Sequence, residues 1–318
     1  MKLRPLGKTD VMVTPIGLGC WQFSQRASLP GKFWPTLPAD AMRAIIKAAL
    51  DGGINWFDTA ELYGNGASEA ALADGLRAAG VKPGEAVVAT KWRPLWRSAG
   101  HLVSSIGERQ RHLAEYPIDL HQIHFRASFS SIRAEARALA TLVRQGHVKA
   151  VGVSNYNARQ MRAMHRELHA LGIPLASNQV EYSLLKRDIE RNGVLETAKE
   201  LGITIIAYSP LAQGMLTAKF HDNPALVQSA GLRRYFNPGF RAAQIQRSRP
   251  LIEALKRIAR GHGVTPGEVA LNWLVHYHGD TVVAIPGATR AAQASDNARV
   301  MSFTLSHEEM QEVDALSR

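Results

Sequence analysis

Short apolar, β-branched runs alternate with longer stretches of helical periodicity from Ile16 to the C-terminal region. Compact apolar runs bounded by turn residues predict strands. Apolar positions that recur three and four residues apart predict helices burying one face. The predicted strands are Ile16 to Gly19, Asn55 to Asp58, Val87 to Lys91, Leu120 to His124, Val148 to Ser154, Ala176 to Glu181, Thr204 to Tyr208 and Val282 to Ile285. Between them lie helical segments such as Ala39 to Asp51, Glu69 to Ala79, Ile132 to Arg144 and Gly193 to Leu201. Such a run of strand–helix units predicts an α/β chain closed into a (β/α)8 TIM barrel.

Punctuation agrees with this reading. Thr265-Pro266-Gly267-Glu268 offers a capping hydroxyl, a first-turn proline and a reciprocal glutamate, and Ser306-His307-Glu308-Glu309 offers a similar cap. Leu3 to Leu6 and Val11 to Thr14, around Gly7-Lys8-Thr9-Asp10, predict a β-hairpin placed across the barrel bottom. Two stretches are too long for ordinary connections: Gln22 to Pro38, and Pro210 to about Arg249 with an Asn237-Pro238-Gly239 turn. No linker or low-complexity tract interrupts the chain, so residues 1–318 are expected to form a single barrel domain.

Composition narrows the class. With 46% hydrophobic and 20% charged residues the chain reads as globular, and it has no apolar run long enough for a signal peptide or a membrane span. A single cysteine, Cys20, excludes an internal disulfide and a cysteine-rich zinc site, and leads to the expectation of a cytoplasmic protein. The net charge of +11 would attract anions, but the basic residues are scattered, as at Arg43, Lys47, Arg133, Arg137, Arg159 and Arg162. The expectation is a solvated surface, with no nucleic-acid or membrane partner. Oligomeric state, monomer or homo-oligomer, is left open.

In such a barrel reactive groups gather at the carboxyl ends of the strands. Asp58, Lys91 and His124 end the second, third and fourth predicted strands, and Tyr63 follows Asp58 in the next loop. Reducing a carbonyl needs a proton donor, and a phenol with a pKa near ~10 needs help to serve at neutral pH. A lysine ammonium beside it would lower that pKa, a carboxylate would keep the lysine charged, and a histidine would orient the carbonyl oxygen. Taken singly, Asp58 and Lys91 would serve as a structural ion pair and His124 as a core histidine. Together they point to an active site.

Gly52-Gly53-Ile54-Asn55-Trp56-Phe57-Asp58-Thr59-Ala60-Glu61-Leu62-Tyr63-Gly64, Ala89-Thr90-Lys91 and Asp119-Leu120-His121-Gln122-Ile123-His124 resemble the signature motifs of the aldo-keto reductase superfamily. The resemblance runs nearly the length of the chain. It implies NADPH-dependent reduction of an aldehyde or ketone, reversibly, with NADH the second choice, and no metal. It also implies that Tyr63 donates the proton, Lys91 and Asp58 tune it, and His124 positions the carbonyl. Val151 to Tyr156 and Asn178 to Glu181 are similar to the nicotinamide site, which makes Ser154, Asn155 and Gln179 partners of the carboxamide and Tyr208 its stacking face. Trp21, Asp58 and the stretch Ser209, Pro210, Leu211, Gln213 and Gly214 belong to the same implied cofactor site. Ile285, Gly287, Ala288, Thr289, Arg290, Gln293 and Asn297 resemble the adenosine-phosphate site at a helix N-terminus, with Arg290 on the 2′-phosphate. No Gly-x-Gly-x-x-Gly supports a Rossmann site, since Gly17-Leu18-Gly19 is followed at the required place by Gln22. The superfamily also includes regulatory subunits of potassium channels, so a cofactor-sensing role with slow turnover is the alternative.

After His124 the superfamily commonly has an aromatic or basic residue and then proline, whereas this chain reads Phe125-Arg126-Ala127-Ser128. Arg126 would either enter the mouth and select acidic substrates or lie in water. Trp21, Tyr63, Trp92, Phe125 and Arg126 are the expected substrate pocket, with Phe33, Trp34 and Trp96 among the aromatic residues of the surrounding loops. Cys20 reads as a small buried hydrophobe rather than a redox sensor.

Overall fold

The structure, a computed structural model, describes residues 2–25, 36–230 and 238–318. Phe33, Trp34 and Asn237 lie outside these residues. Eight parallel strands among the described residues form one sheet. They are β3 (Leu18–Gly19), β4 (Trp56–Asp58), β5 (Val87–Trp92), β6 (Ile118–Ile123), β7 (Val148–Ser154), β8 (Leu175–Glu181), β9 (Thr204–Tyr208) and β10 (Val282–Ala284), each bonded to the next in chain order. Backbone bonds from Gly17 N to Ala284 O at 2.8 Å and from Gly19 N to Pro286 O at 3.1 Å join the first of these to the last. The sheet has no free edge there and closes as a barrel.

The barrel bottom is plugged. β1 (Arg4–Pro5) and β2 (Met12–Val13) pair antiparallel as the sequence predicts, and Leu6, Val11 and Val13 pack against Trp56, Ala89, Leu120, Ala176 and Val283 inside the barrel. Gly7, at the turn, has φ +57°, and a Cβ there would meet Ala176 O at 2.5 Å, so only glycine lets the hairpin seat this closely.

Because side chains alternate along a strand, every second residue of each strand faces the interior. On β6 the inward series runs Leu120, Gln122, His124, rising from the apolar plug to a polar mouth. On β4 and β5 it runs Trp56, Asp58 and Ala89, Lys91. This gradient is what delivers ionisable groups to one end.

Helices cover the outside, among them Ala39–Asp51, Ala67–Ala78, Ile132–Arg144, Ala158–His169, Pro266–His276 and Ala291–Arg299. Among the described residues, capping boxes start three helices at Asn157, Thr265 and Ser306, the last two where the sequence predicted caps. Each such cap is worth about 0.5–2 kcal/mol. The stretch read as a loop to Arg249 is corrected: a helix begins at Ala242 and runs to His262 through Pro250. Ile245, Ser248, Leu251, Ile252 and Leu255 are buried at helical spacing on both sides of the proline, so packing outweighs its effect as a helix breaker. Among the described residues no helix is long and apolar enough to cross a membrane.

Candidate active site

At the carboxyl ends of the strands a cleft of about 570 Å³ opens, a volume suited to a ligand. Its deep end is built on a buried ion pair. Lys91 Nζ lies 2.5 Å from Asp58 Oδ1 and donates to the Thr59 carbonyl at 2.9 Å, with both side chains essentially out of water. Gln179 Nε2 donates to Asp58 Oδ2 at 2.9 Å and Gln122 Nε2 approaches the same oxygen at 3.3 Å, so the carboxylate is saturated with donors. Burial opposes the Lys91 ammonium, but Asp58 and Tyr63 together outweigh it and raise the lysine pKa.

Tyr63 sits over this pair, its ring centroid 5.0 Å from Lys91 Nζ, edge-on to His124 at 5.6 Å and beside Trp21 at 6.3 Å. The expected lowering of its pKa is corrected. Burial comes first and Lys91 only partly offsets it, so the phenol stands above its ordinary value and keeps its proton at neutral pH. Burial, with Lys91 adding to it, holds His124 well below the usual imidazole range, so the ring is neutral and can offer a hydrogen bond to an oxygen without itself being charged.

From this end the cleft runs along β7 to β10. Ser154 Oγ donates to the Gln179 carbonyl at 2.9 Å, and the Tyr208 hydroxyl donates to Asn155 Oδ1 at 3.1 Å, which fixes the tyrosine ring along the wall. Non-glycine residues with left-handed backbone gather here, Asn155 at φ +60°, Ser209 at +50° and Gln213 at +56°, as is common where a fold holds a ligand. Ser209, Pro210, Leu211, Gln213 and Gly214 line one side, and Ile285, Gly287, Ala288, Thr289, Gln293 and Asn297 the other. A Cβ on Gly287 would meet the Gln22 amide at 2.3 Å, so the bare backbone lets the first and last strand ends close over one another. Gln22 Oε1, Gln213 Oε1 and Asn297 Nδ2 are buried without partners in this arm of the cleft. Unpaired buried polar atoms are costly, and a long polar ligand with hydroxyl and phosphate groups would pair them. The residues present therefore fit a nicotinamide dinucleotide.

Trp21, Asp58, Tyr63, His124 and Phe125 line the cleft where the sequence reading expects them, with Lys91 buried directly behind. Trp92 and Arg126 do not. Trp92 follows the inward Lys91 and so faces the helices, buried with Nε1 toward His101 Nδ1 at 3.2 Å. The Arg126 guanidinium donates to Ser130 O at 2.9 Å and pairs with the buried Glu135 at 3.3 Å, so it is neither in the mouth nor free in water. Arg290 holds the N-cap position of the helix Ala291–Arg299 without a side-chain cap bond; its side chain is exposed and is not among the cleft-lining residues, although its neighbours Thr289 and Gln293 are. Trp96 is exposed and tilted against Phe129 at 5.8 Å. Cys20 is fully buried, its thiol pushed well above the usual range by burial, then by Asp58.

The sequence reading missed Lys219, Thr265, Glu268 and Asp296, which also line the cleft. Thr265 and Glu268 were legible only as a helix cap. Lys219 Nζ lies 3.1 Å from where a Gly214 Cβ would stand, so the bare backbone at Gly214 leaves room for the lysine side chain beside the cleft.

The chain matches a sequence model described as "Aldo/keto reductase family" over residues 15–318. It is similar to chloroplastic pyridoxal reductase of Arabidopsis thaliana, 32% identical over 99% of this chain and 84% of that protein. An uncharacterized oxidoreductase of Mycobacterium tuberculosis is 36% identical over 92% of this chain and 86% of its own length. Among solved structures, a glycerol dehydrogenase from Gluconobacter oxydans superposes with a TM-score of 0.84 at 29% identity, covering 99% of this chain and 94% of that one.

Proposed function

The chain belongs to the aldo/keto reductase family, and we propose that it reduces a small aldehyde or ketone to the alcohol with NADPH, reversibly, taking the proton from Tyr63. The observation that carries this reading is the buried Asp58–Lys91 pair beneath Tyr63, opening into a cleft with a polar second arm. When bound, the nicotinamide cofactor supplies the hydride from C4 of its ring. Ser154, Asn155 and Gln179 would hold its carboxamide, Tyr208 its ring face, and Lys219 with the backbone at Gly214 its pyrophosphate. His124, neutral, orients the carbonyl oxygen toward the Tyr63 hydroxyl, and Trp21 and Phe125 give the substrate an apolar wall. A single cysteine supports a cytoplasmic setting.

The choice of NADPH over NADH rests on Arg290, whose guanidinium can fork onto a 2′-phosphate at the helix N-terminus. Glu268 and Asp296 line the same end, but Arg299 pairs with both carboxylates and the Thr265 amide and hydroxyl donate to Glu268, so neither stands as a free charge against that phosphate. Arg290→Ala is expected to weaken NADPH binding by roughly tenfold or more while changing NADH binding less than about twofold, the difference between a charge-assisted contact and none. Fluorescence titration with both cofactors checks it, and equal losses remove the assignment.

The function itself is tested by following NADPH oxidation with a panel of aromatic aldehydes, aliphatic aldehydes, dicarbonyls and ketones. Turnover of at least one class is expected. Tight NADPH binding with no turnover would favour the cofactor-sensing role, and failure to bind either nicotinamide cofactor would refute the reading.

A further inference from the structure

A cluster of charges lies buried behind the site and has no part in the chemistry described so far. Glu61, Glu69 and Arg109 are buried among the turn that carries Tyr63, helix Ala67–Ala78 and helix Ile106–Leu113. Burying charges is costly, and such groups persist only when each has a partner. Arg109 Nη1 lies 3.2 Å from Glu61 Oε1 and its Nε 2.9 Å from Glu69 Oε2, paired by charge rather than along aligned N–H directions. Arg97 Nη1 donates to Glu61 Oε1 at 2.5 Å. The Glu61 carboxyl stands below its ordinary range: burial opposes ionisation, but the Arg93 amide, Arg97 and Arg109 outweigh it.

Glu61 is also the hinge point of the backbone here. Its amide donates to the Lys91 carbonyl at 3.1 Å, its own carbonyl accepts from the Gly66 amide at 3.1 Å, and its carboxylate accepts from the Arg93 amide at 2.9 Å. One residue thus grips the end of β5 on both sides of Trp92 and spans the turn in which Tyr63 stands two positions on. We propose that Glu61 is a positioning residue for the reaction: clamped by Arg97 and Arg109, it sets the separation between the Tyr63 hydroxyl and the Lys91 ammonium. Glu61 touches neither substrate nor cofactor and acts through Tyr63. The inference rests on Tyr63 as proton donor.

The test compares Glu61→Ala and Glu61→Gln in the wild-type and Tyr63→Phe backgrounds, using NADPH and an aldehyde that the wild type turns over. Glu61→Ala is expected to lower kcat by roughly 10²-fold, the scale of a misplacement of ~1 Å. The aldehyde KM and the NADPH Kd should stay within about twofold, since only a transition-state contact is disturbed. Glu61→Gln keeps the bond from the Arg93 amide but not the charge, and should lose only about tenfold. In the Tyr63→Phe background neither change should add a further loss. Equal losses in both backgrounds, or a fall in NADPH binding in step with kcat, overturns the proposal. If Glu61→Ala does not fold, Glu61→Gln carries the same comparison. Crystal structures of wild type and variant give a readout independent of turnover: the Tyr63 hydroxyl should move relative to Lys91 Nζ, and an unmoved hydroxyl overturns the proposal. Failure of the parent reading looks different, as a Tyr63→Phe enzyme no slower than wild type.

Discussion

Tyr63→Phe binds NADPH as the wild type does and loses carbonyl reduction by roughly 10²–10⁴-fold, the range that a positioned proton donor contributes. The substitution removes one oxygen from a ring held by Trp21 and His124, so packing and cofactor binding should survive. The pH dependence follows from the direction of the phenol's shift. Its folded pKa is raised, chiefly by burial, so the proton stays on through neutral pH and leaves only above the ordinary value of ~10. Reduction should therefore be flat with respect to this group from neutral pH to about 10 and fall beyond it, whereas alcohol oxidation, which needs the phenolate, should climb over the same range. Steady-state rates in both directions across pH check this. A reductive limb falling near neutrality would assign the proton to another group.

Lys91→Met carries the largest expected cost in stability. It strips the counter-charge from Asp58 in a site where both side chains are closed to water, leaving Gln179 and Gln122 as the carboxylate's remaining donors. Breaking a buried pair from one side costs about 3–5 kcal/mol. Turnover should fall with it, by at least about 10²-fold, because the ammonium that partly offsets the burial of Tyr63 is gone. Asp58→Asn combined with Lys91→Met removes both charges and should regain more than half of the lost stability, without activity. Denaturant unfolding of the single and double variants measures this. Additive losses would mean that the two charges are not coupled.

The barrel and its deep site were legible because strand alternation speaks through single residues. Asp58, Lys91 and His124 each stand at or within one residue of a strand end, and their parity with Trp56, Ala89 and Leu120 assigns them to the interior. The same parity applies to Trp92, which follows an inward lysine and must face the helices, away from the mouth where its aromatic ring is expected. Arg126 was not legible. Its direction is set by Glu135, a residue on the following helix whose burial no local pattern announces. The raised pKa of Tyr63 was hidden for a related reason: the sequence shows the charges that surround a phenol but not how much water reaches it. The helix from Ala242 was hidden because it carries Pro250 in its interior, and the buried row from Ile245 to Leu255 is held by tertiary packing.

Closure of the barrel between Gly17–Gly19 and Ala284–Pro286 also orders events in time. Tyr63 and Lys91 are synthesised well before Gly287 and Asn297, which line the arm of the cleft opposite Gln22. Contacts of such long sequence separation form late, since loop-closure entropy must be met before they are rewarded. A nascent chain stopped before Val282 would expose the edges of β3 and β9, two unpaired templates for association with other chains. The bonds that close the barrel also cover these two strand edges.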